Sequence, residues 1–115
     1  MQLKITFHNM PHSDPLEAHA REKFAKIEEL LSRMDNQRPM HAELWLKAQK
    51  QHNHHAVELH LKTPFLDLNA HDEGPDMYIS LDHTIDKMVT QVKKEKEKHR
   101  EKYQKANTEK KDFSR

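Results

Sequence analysis

Residues 40–72, "MHAELWLKAQKQHNHHAVELHLKTPFLDLNAHD", decide the fold. Strict alternation places Met40, Ala42, Leu44, Leu46 and Ala48 on one face and Glu43, Trp45 and Lys47 on the other. That period of two is the signature of a half-buried strand. "AVELHLK" repeats it with Val57, Leu59 and Leu61 inward, and "FLDLNAHD" with Leu66, Leu68 and Ala70 inward. "QKQHNHH" reads as a polar hairpin connection and "TP" as a tight turn. Three successive antiparallel strands with one apolar face each require something to cover that face.

The flanking sequence supplies the cover. Upstream, "QLKITF" alternates Leu3, Ile5 and Phe7 against polar neighbours and predicts a fourth strand. "HSDPLEAHAREKFAKIEELLSRMD" then carries Leu16, Ala20, Phe24, Ile27, Leu31 and Met34 at helical spacing. Asp14 is the expected N-cap, with Pro15 at the first helical position and Glu17 closing a capping box. The residue before Pro39 is pushed out of helical geometry, which ends the helix. Downstream, Gly74 and Pro75 punctuate, Asp76 is the expected cap, and Tyr78, Leu81, Ile85, Met88 and Val92 form the expected seam of a second helix. The order strand, helix, three strands, helix predicts an α+β domain, β-α-β-β-β-α, with two helices packed on one face of a four-stranded sheet.

Composition narrows the chemistry. The chain has 115 residues, 34% of them charged, one glycine and no cysteine. Disulfides and thiol nucleophiles are therefore excluded. No leader-like apolar run opens the chain and no segment has membrane-spanning length, so a soluble, cytoplasmic protein without a membrane partner is expected. Residues 1–92 hold 10 basic and 14 acidic side chains, whereas residues 93–115 hold 10 basic and 5 acidic. This split predicts a polyanion-facing end on a near-neutral body. A solvated helix laced with Glu–Lys pairs is the plainer alternative.

The basic end has a direction. At about 100° per residue, Lys94, Lys98 and Lys105 fall within about 20° of Lys87, and Gln91 and Lys102 within about 60°. Lys93, Lys96 and Arg100 extend the charge round the helix beyond Val92. Lysines one or two turns apart suit a phosphate backbone, because each contact releases condensed counterions without reading a base. Lys23 and Lys26 on the first helix can widen the surface. Stacking candidates are few (Trp45, Tyr78, Tyr103), which favours recognition of RNA shape and backbone over sequence.

Eleven histidines raise a metal reading, sharpest at His52, His54 and His55. With no cysteine or nearby carboxylate, a polar hairpin is the better account, and no metal or other cofactor is expected. His60 and Glu58 face outward from a strand, and His83 lies beside Asp82 at the start of the last helix. Neither pair assembles into a catalytic group and no Gly-rich phosphate loop exists, so an enzyme is the least expected class and no small-molecule substrate is expected.

"MQLKIT", "KFAKIEE" and above all "EGPDMYISLDHTIDKMVTQVKKEKEK" resemble the hibernation promoting factor and ribosome-associated inhibitor family over about residues 1–100. The resemblance implies a fold related in shape to double-stranded-RNA-binding domains. It implies a domain over residues 1–105 that binds the small ribosomal subunit and its ribosomal RNA in the decoding channel. There it blocks transfer and messenger RNA and inhibits translation under starvation or in stationary phase. By position it assigns contacts with RNA phosphates to Lys23, Lys26, Lys87, Gln91, Lys94, Lys96, Lys98 and Arg100. The chain departs from the family at Thr90, where some relatives are basic, and in its histidine-rich hairpin. It reads as a short form, monomeric off the ribosome, with residues 106–115 expected to be a disordered tail. A stand-alone double-stranded-RNA-binding module is the alternative.

Overall fold

The computed structural model describes residues 2–34, 41–49, 54–64 and 66–112, with side chains described as far as residue 32 in the first segment and residue 98 in the last. Its elements are β1 (Gln2–His8), α1 (Asp14–Met34), β2 (His41–Lys47), β3 (His55–Lys62), β4 (Asp67–Gly74) and α2 (Met77–Asp112). The strands lie in the order β1-β2-β3-β4. β1 and β2 pair in parallel, with Ile5 opposite Leu44, whereas β2–β3 and β3–β4 are antiparallel, with Leu44 opposite Leu59 and Leu59 opposite Ala70. The parallel pair follows from the helical crossover, which returns the chain in the direction of β1.

One core holds the layers together. Ala42, Leu44, Leu46, Val57, Leu59, Leu61 and Ala70 from the sheet meet Leu16, Ala20, Phe24, Ile27 and Leu31 from α1 and Leu81, Ile85, Met88 and Val92 from α2. Leu3, Ile5, Phe7, Leu66 and Leu68 pack at its margin. The architecture read from the sequence is therefore observed, both helices covering the same face. Among the described residues no helix is long and apolar enough to cross a membrane.

Three local readings change. The cap of α1 is Ser13: the Leu16 amide donates to Ser13 Oγ at 3.3 Å and the Glu17 amide to the Ser13 carbonyl at 2.9 Å. Asp14 is thus the first helical residue, its carboxylate 2.8 Å from His12 Nε2, and Pro15 takes the second position, where no amide is needed. Asp76 does cap α2, accepting from the amides of Tyr78 and Ile79 at 2.9 and 3.3 Å.

Tyr78 is not core; it is 42% exposed and meets His19 edge-on at a centroid distance of 5.2 Å. The reason lies in Ser80 and Thr84, both buried. These small residues let α2 approach β4, which rolls the helix so that Tyr78 swings outward. A Cβ on Gly74 would stand only 3.2 Å from Ser80 Oγ, so the approach is close. Thr84 Oγ1 donates to the Ser80 carbonyl at 2.8 Å, satisfying the buried hydroxyl.

Finally, α2 runs to Asp112, into the stretch expected as a tail; "ANTEKKD" contains neither glycine nor proline to stop it. The helix stop at Pro39, the inward Met40, His52 in the hairpin and the side chain of Arg100 lie outside the described residues. The "TP" turn is observed, with reciprocal bonds between Thr63 and Leu66: Thr63 N–H to the Leu66 carbonyl at 2.8 Å and Leu66 N–H to Thr63 Oγ1 at 2.9 Å.

Candidate nucleic-acid interface

Helix α2 has two flanks as well as a buried side. One flank lies along the edge of β4, and here the first part of the lysine line is engaged within the fold. Lys87 Nζ donates to the His71 carbonyl at 2.8 Å and to Asp72 Oδ1 at 2.9 Å. Gln91 Nε2 donates to the Asn69 carbonyl at 2.8 Å. Since β4 is an edge strand, these side chains satisfy carbonyls that no neighbouring strand can reach, and they blunt the edge against pairing.

Asp72 is the hub of this flank, accepting also from His83 Nδ1 at 3.2 Å. Its partial burial pushes its pKa up, but the hydrogen bonds and charges of Lys87 and His83 outweigh that and hold it below the ordinary carboxylate value. Lys94 and Lys98 continue the line past the sheet, both exposed. Lys98 Nζ lies 3.5 Å from Glu95 Oε1, a loose ion pair that a phosphate can replace.

The other flank faces α1. His19 Nε2 meets Asp82 Oδ1 at 2.7 Å across the two helices, which marks the side of α1 that looks toward α2. At about 100° per residue, Lys23 and Lys26 fall within about 40° of His19 on that same side. On α2, Lys93 and Lys96 lie within about 40° of Asp82. The two helices run in parallel, since each follows a strand of the same direction and reverses it. Lys23, Lys26, Lys93 and Lys96 are therefore distributed along one interhelical seam, while Lys94 and Lys98 lie on the opposite flank. Beyond Val92, which is fully buried, no side chain through Lys98 is buried. The eight residues assigned by position are thus not equivalent. Lys87 and Gln91 bond groups of β4, Lys87 while 51% exposed, whereas Lys23 and Lys96 are half-buried and Lys26, Lys94 and Lys98 are exposed.

What the sequence did not disclose is the use of histidine. Five of them meet carboxylates: His12 with Asp14, His19 with Asp82, His54 with Glu73, His60 with Asp67, and His83 with Asp72. His54 is accordingly paired across the sheet at 2.9 Å, and the hydrogen bond and charge it offers lower the Glu73 pKa. Among the described residues the one group with metal-ligand spacing is His12, Asp14 and Glu17.

A mixed four-stranded sheet with two helices on one face, the second running on past the sheet, defines a small α+β class. The N-terminal domain of Thermus thermophilus Protein Y has the same fold (TM-score 0.67, 22% identity, covering 82% of this chain and 98% of that one). So does a ribosomal subunit interface protein from Coxiella burnetii (TM-score 0.69, 23% identity, covering 84% and 98%). Residues 3–100 match the family described as Sigma 54 modulation protein / S30EA ribosomal protein. The ribosome hibernation promoting factor of Salmonella typhimurium is 33% identical over 98 residues, 85% of this chain and 96% of the relative. That of Pseudomonas putida is 31% identical over 98 residues, 85% and 89%. The chain belongs to this family of ribosome hibernation promoting factors.

Proposed function

We propose that this protein is a ribosome hibernation factor of the cytoplasm. It binds the small ribosomal subunit in the decoding channel, blocks transfer and messenger RNA there, and inhibits translation under starvation or in stationary phase. Family membership supports the ribosome as partner. The observation that carries the mode of binding is the overhang of α2, a helix continued past its core with lysines on both flanks. RNA phosphates are the partner that makes such a helix worth extending, since counterion release rewards each cation placed on them. Lys94, Lys98, Lys93 and Lys96 then meet phosphates, with Lys23, Lys26 and Arg100 widening the footprint. Lys87 and Gln91 fix the angle at which α2 leaves the sheet. No catalytic step, metal or small molecule enters this reading.

The test is co-sedimentation with purified small subunits across a salt series, for wild type and for Lys94→Glu/Lys98→Glu. Saturable, salt-sensitive binding that the double variant loses is expected, and it should survive an excess of bulk duplex RNA. Absence of binding near physiological salt would refute the reading. Displacement by duplex RNA would instead identify a general double-stranded-RNA-binding module.

A further inference from the structure

The face of the sheet turned away from the helices carries chemistry that the RNA reading does not use. Register places Thr6, Trp45, Glu58 and His71 in one row across all four strands. An open groove of about 290 Å³ lies there, walled by the Trp45 indole and lined by Glu58, Asn69, His71 and Glu73. Two carboxylates and an aromatic ring line it, and no lysine or arginine does. Glu73 stands opposite Ala56, two residues from Glu58, so the two glutamates are diagonal neighbours, about 7–8 Å apart. Each has one oxygen engaged: Glu58 Oε1 with Lys47 at 3.1 Å, Glu73 Oε2 with His54 at 2.9 Å. A carboxylate offers about four acceptor positions, so both can accept more.

The three groups together match one side chain. A guanidinium is planar, stacks on an indole, and carries five donors in a fork wide enough to engage carboxylates on two sides. A nucleobase would also stack on Trp45, but its phosphate would meet Glu58 and Glu73 and be repelled. We propose that this groove is a docking site for an arginine-rich peptide segment of a protein partner. The indole covers the guanidinium face, and Glu58 and Glu73 accept its N–H groups. The site uses none of the lysines of α2, so it stands whether or not α2 binds RNA. Where α2 does, the protein presents one face to RNA and the opposite face to a basic protein.

Trp45 is the sole tryptophan of the chain, so its fluorescence reports this groove alone. The full-length protein is titrated with a hexa-arginine peptide and, separately, with a uridine oligonucleotide. Saturable change in Trp45 emission with the peptide is expected. Glu58→Gln/Glu73→Gln should weaken it at least ten-fold while circular dichroism shows the fold retained. Glu22→Gln/Glu28→Gln, the same charge change on exposed positions of α1, should leave it unaltered. An unresponsive Trp45, or equal weakening by both double variants, overturns the proposal. So does a response to the oligonucleotide but not the peptide, which would make the face a base-stacking platform. Emission that changes with protein concentration alone would assign the groove to a second copy and overturn it likewise.

Discussion

The two parts of α2 share a helix and little else. From Met77 to Val92 it is docked: Leu81, Ile85, Met88 and Val92 are buried, Lys87 and Gln91 grip the edge of β4, and Asp82 bonds His19 on α1. From Lys93 to Lys98 no side chain is buried, and at about 1.5 Å per residue the helix continues for about 30 Å to Asp112. Residues in the docked part have neighbours in the fold, and Lys87 there bonds the His71 carbonyl and Asp72. Among the described side chains of the overhang, Lys93 to Lys98, the one ion pair is the loose Lys98–Glu95 contact at 3.5 Å. The same residue type therefore has different surroundings a turn or two apart, and the variants Lys94→Glu/Lys98→Glu and Lys87→Met measure whether the work differs.

The docked part of α2 depends most on Met88. Met88→Ala should cost roughly 2–5 kcal/mol of unfolding free energy, because the side chain is fully buried; urea denaturation measures it. A loss below about 1 kcal/mol would mean that the docked part is not held by its seam. Next, Lys94→Glu/Lys98→Glu should weaken binding to small subunits at least ten-fold and reduce the salt slope by roughly 2, one per phosphate contact. Its urea midpoint should stay that of wild type, and a fall in the midpoint would put these lysines in the fold.

Asp72→Asn addresses the boundary between the parts. It should cost about 1 kcal/mol near neutral pH, through the loss of its bonds to Lys87 and His83. The pKa of Asp72 is lowered in the fold, so its contribution is present above the unfolded value of about 3.9 and disappears as pH falls through the folded one. Wild type and variant should thus converge in acid, and a gap that persists at low pH would assign the effect to packing. The smallest effect is that of Lys87→Met. It should lower stability by a few tenths to about 1 kcal/mol and leave the salt slope of ribosome binding unchanged. A slope reduced by about 1 would return Lys87 to the RNA contacts.

Most elements were legible because they are local. Alternation at Leu44, Leu46, Val57, Leu59 and Leu61 fixes strands and their inner face, spacing at Phe24, Ile27 and Leu31 fixes a helix, and Asp76 after Gly74 and Pro75 fixes its start. The basic end of α2 was legible too, as a count of charges that needs no neighbour. Tyr78 misled because a seam read at ideal spacing takes no account of how far a helix rolls to bring Ser80 and Thr84 against β4. Ser13 was missed as a cap because Asp14 beside Pro15 is an equally good local signal.

Periodicity and composition are properties of the chain alone, and they were enough for the inner face of β2 and β3, the seam of α1, the number of layers and the end that carries positive charge. Only the tertiary structure decided that β1 lies parallel to β2, that Lys87 and Gln91 spend their donors on Asn69, His71 and Asp72, that His54 finds Glu73, and that Trp45 walls a groove beside Glu58. Each of these depends on which polar group a distant segment brings within about 3 Å, and a hydrogen bond or ion pair is set by that distance.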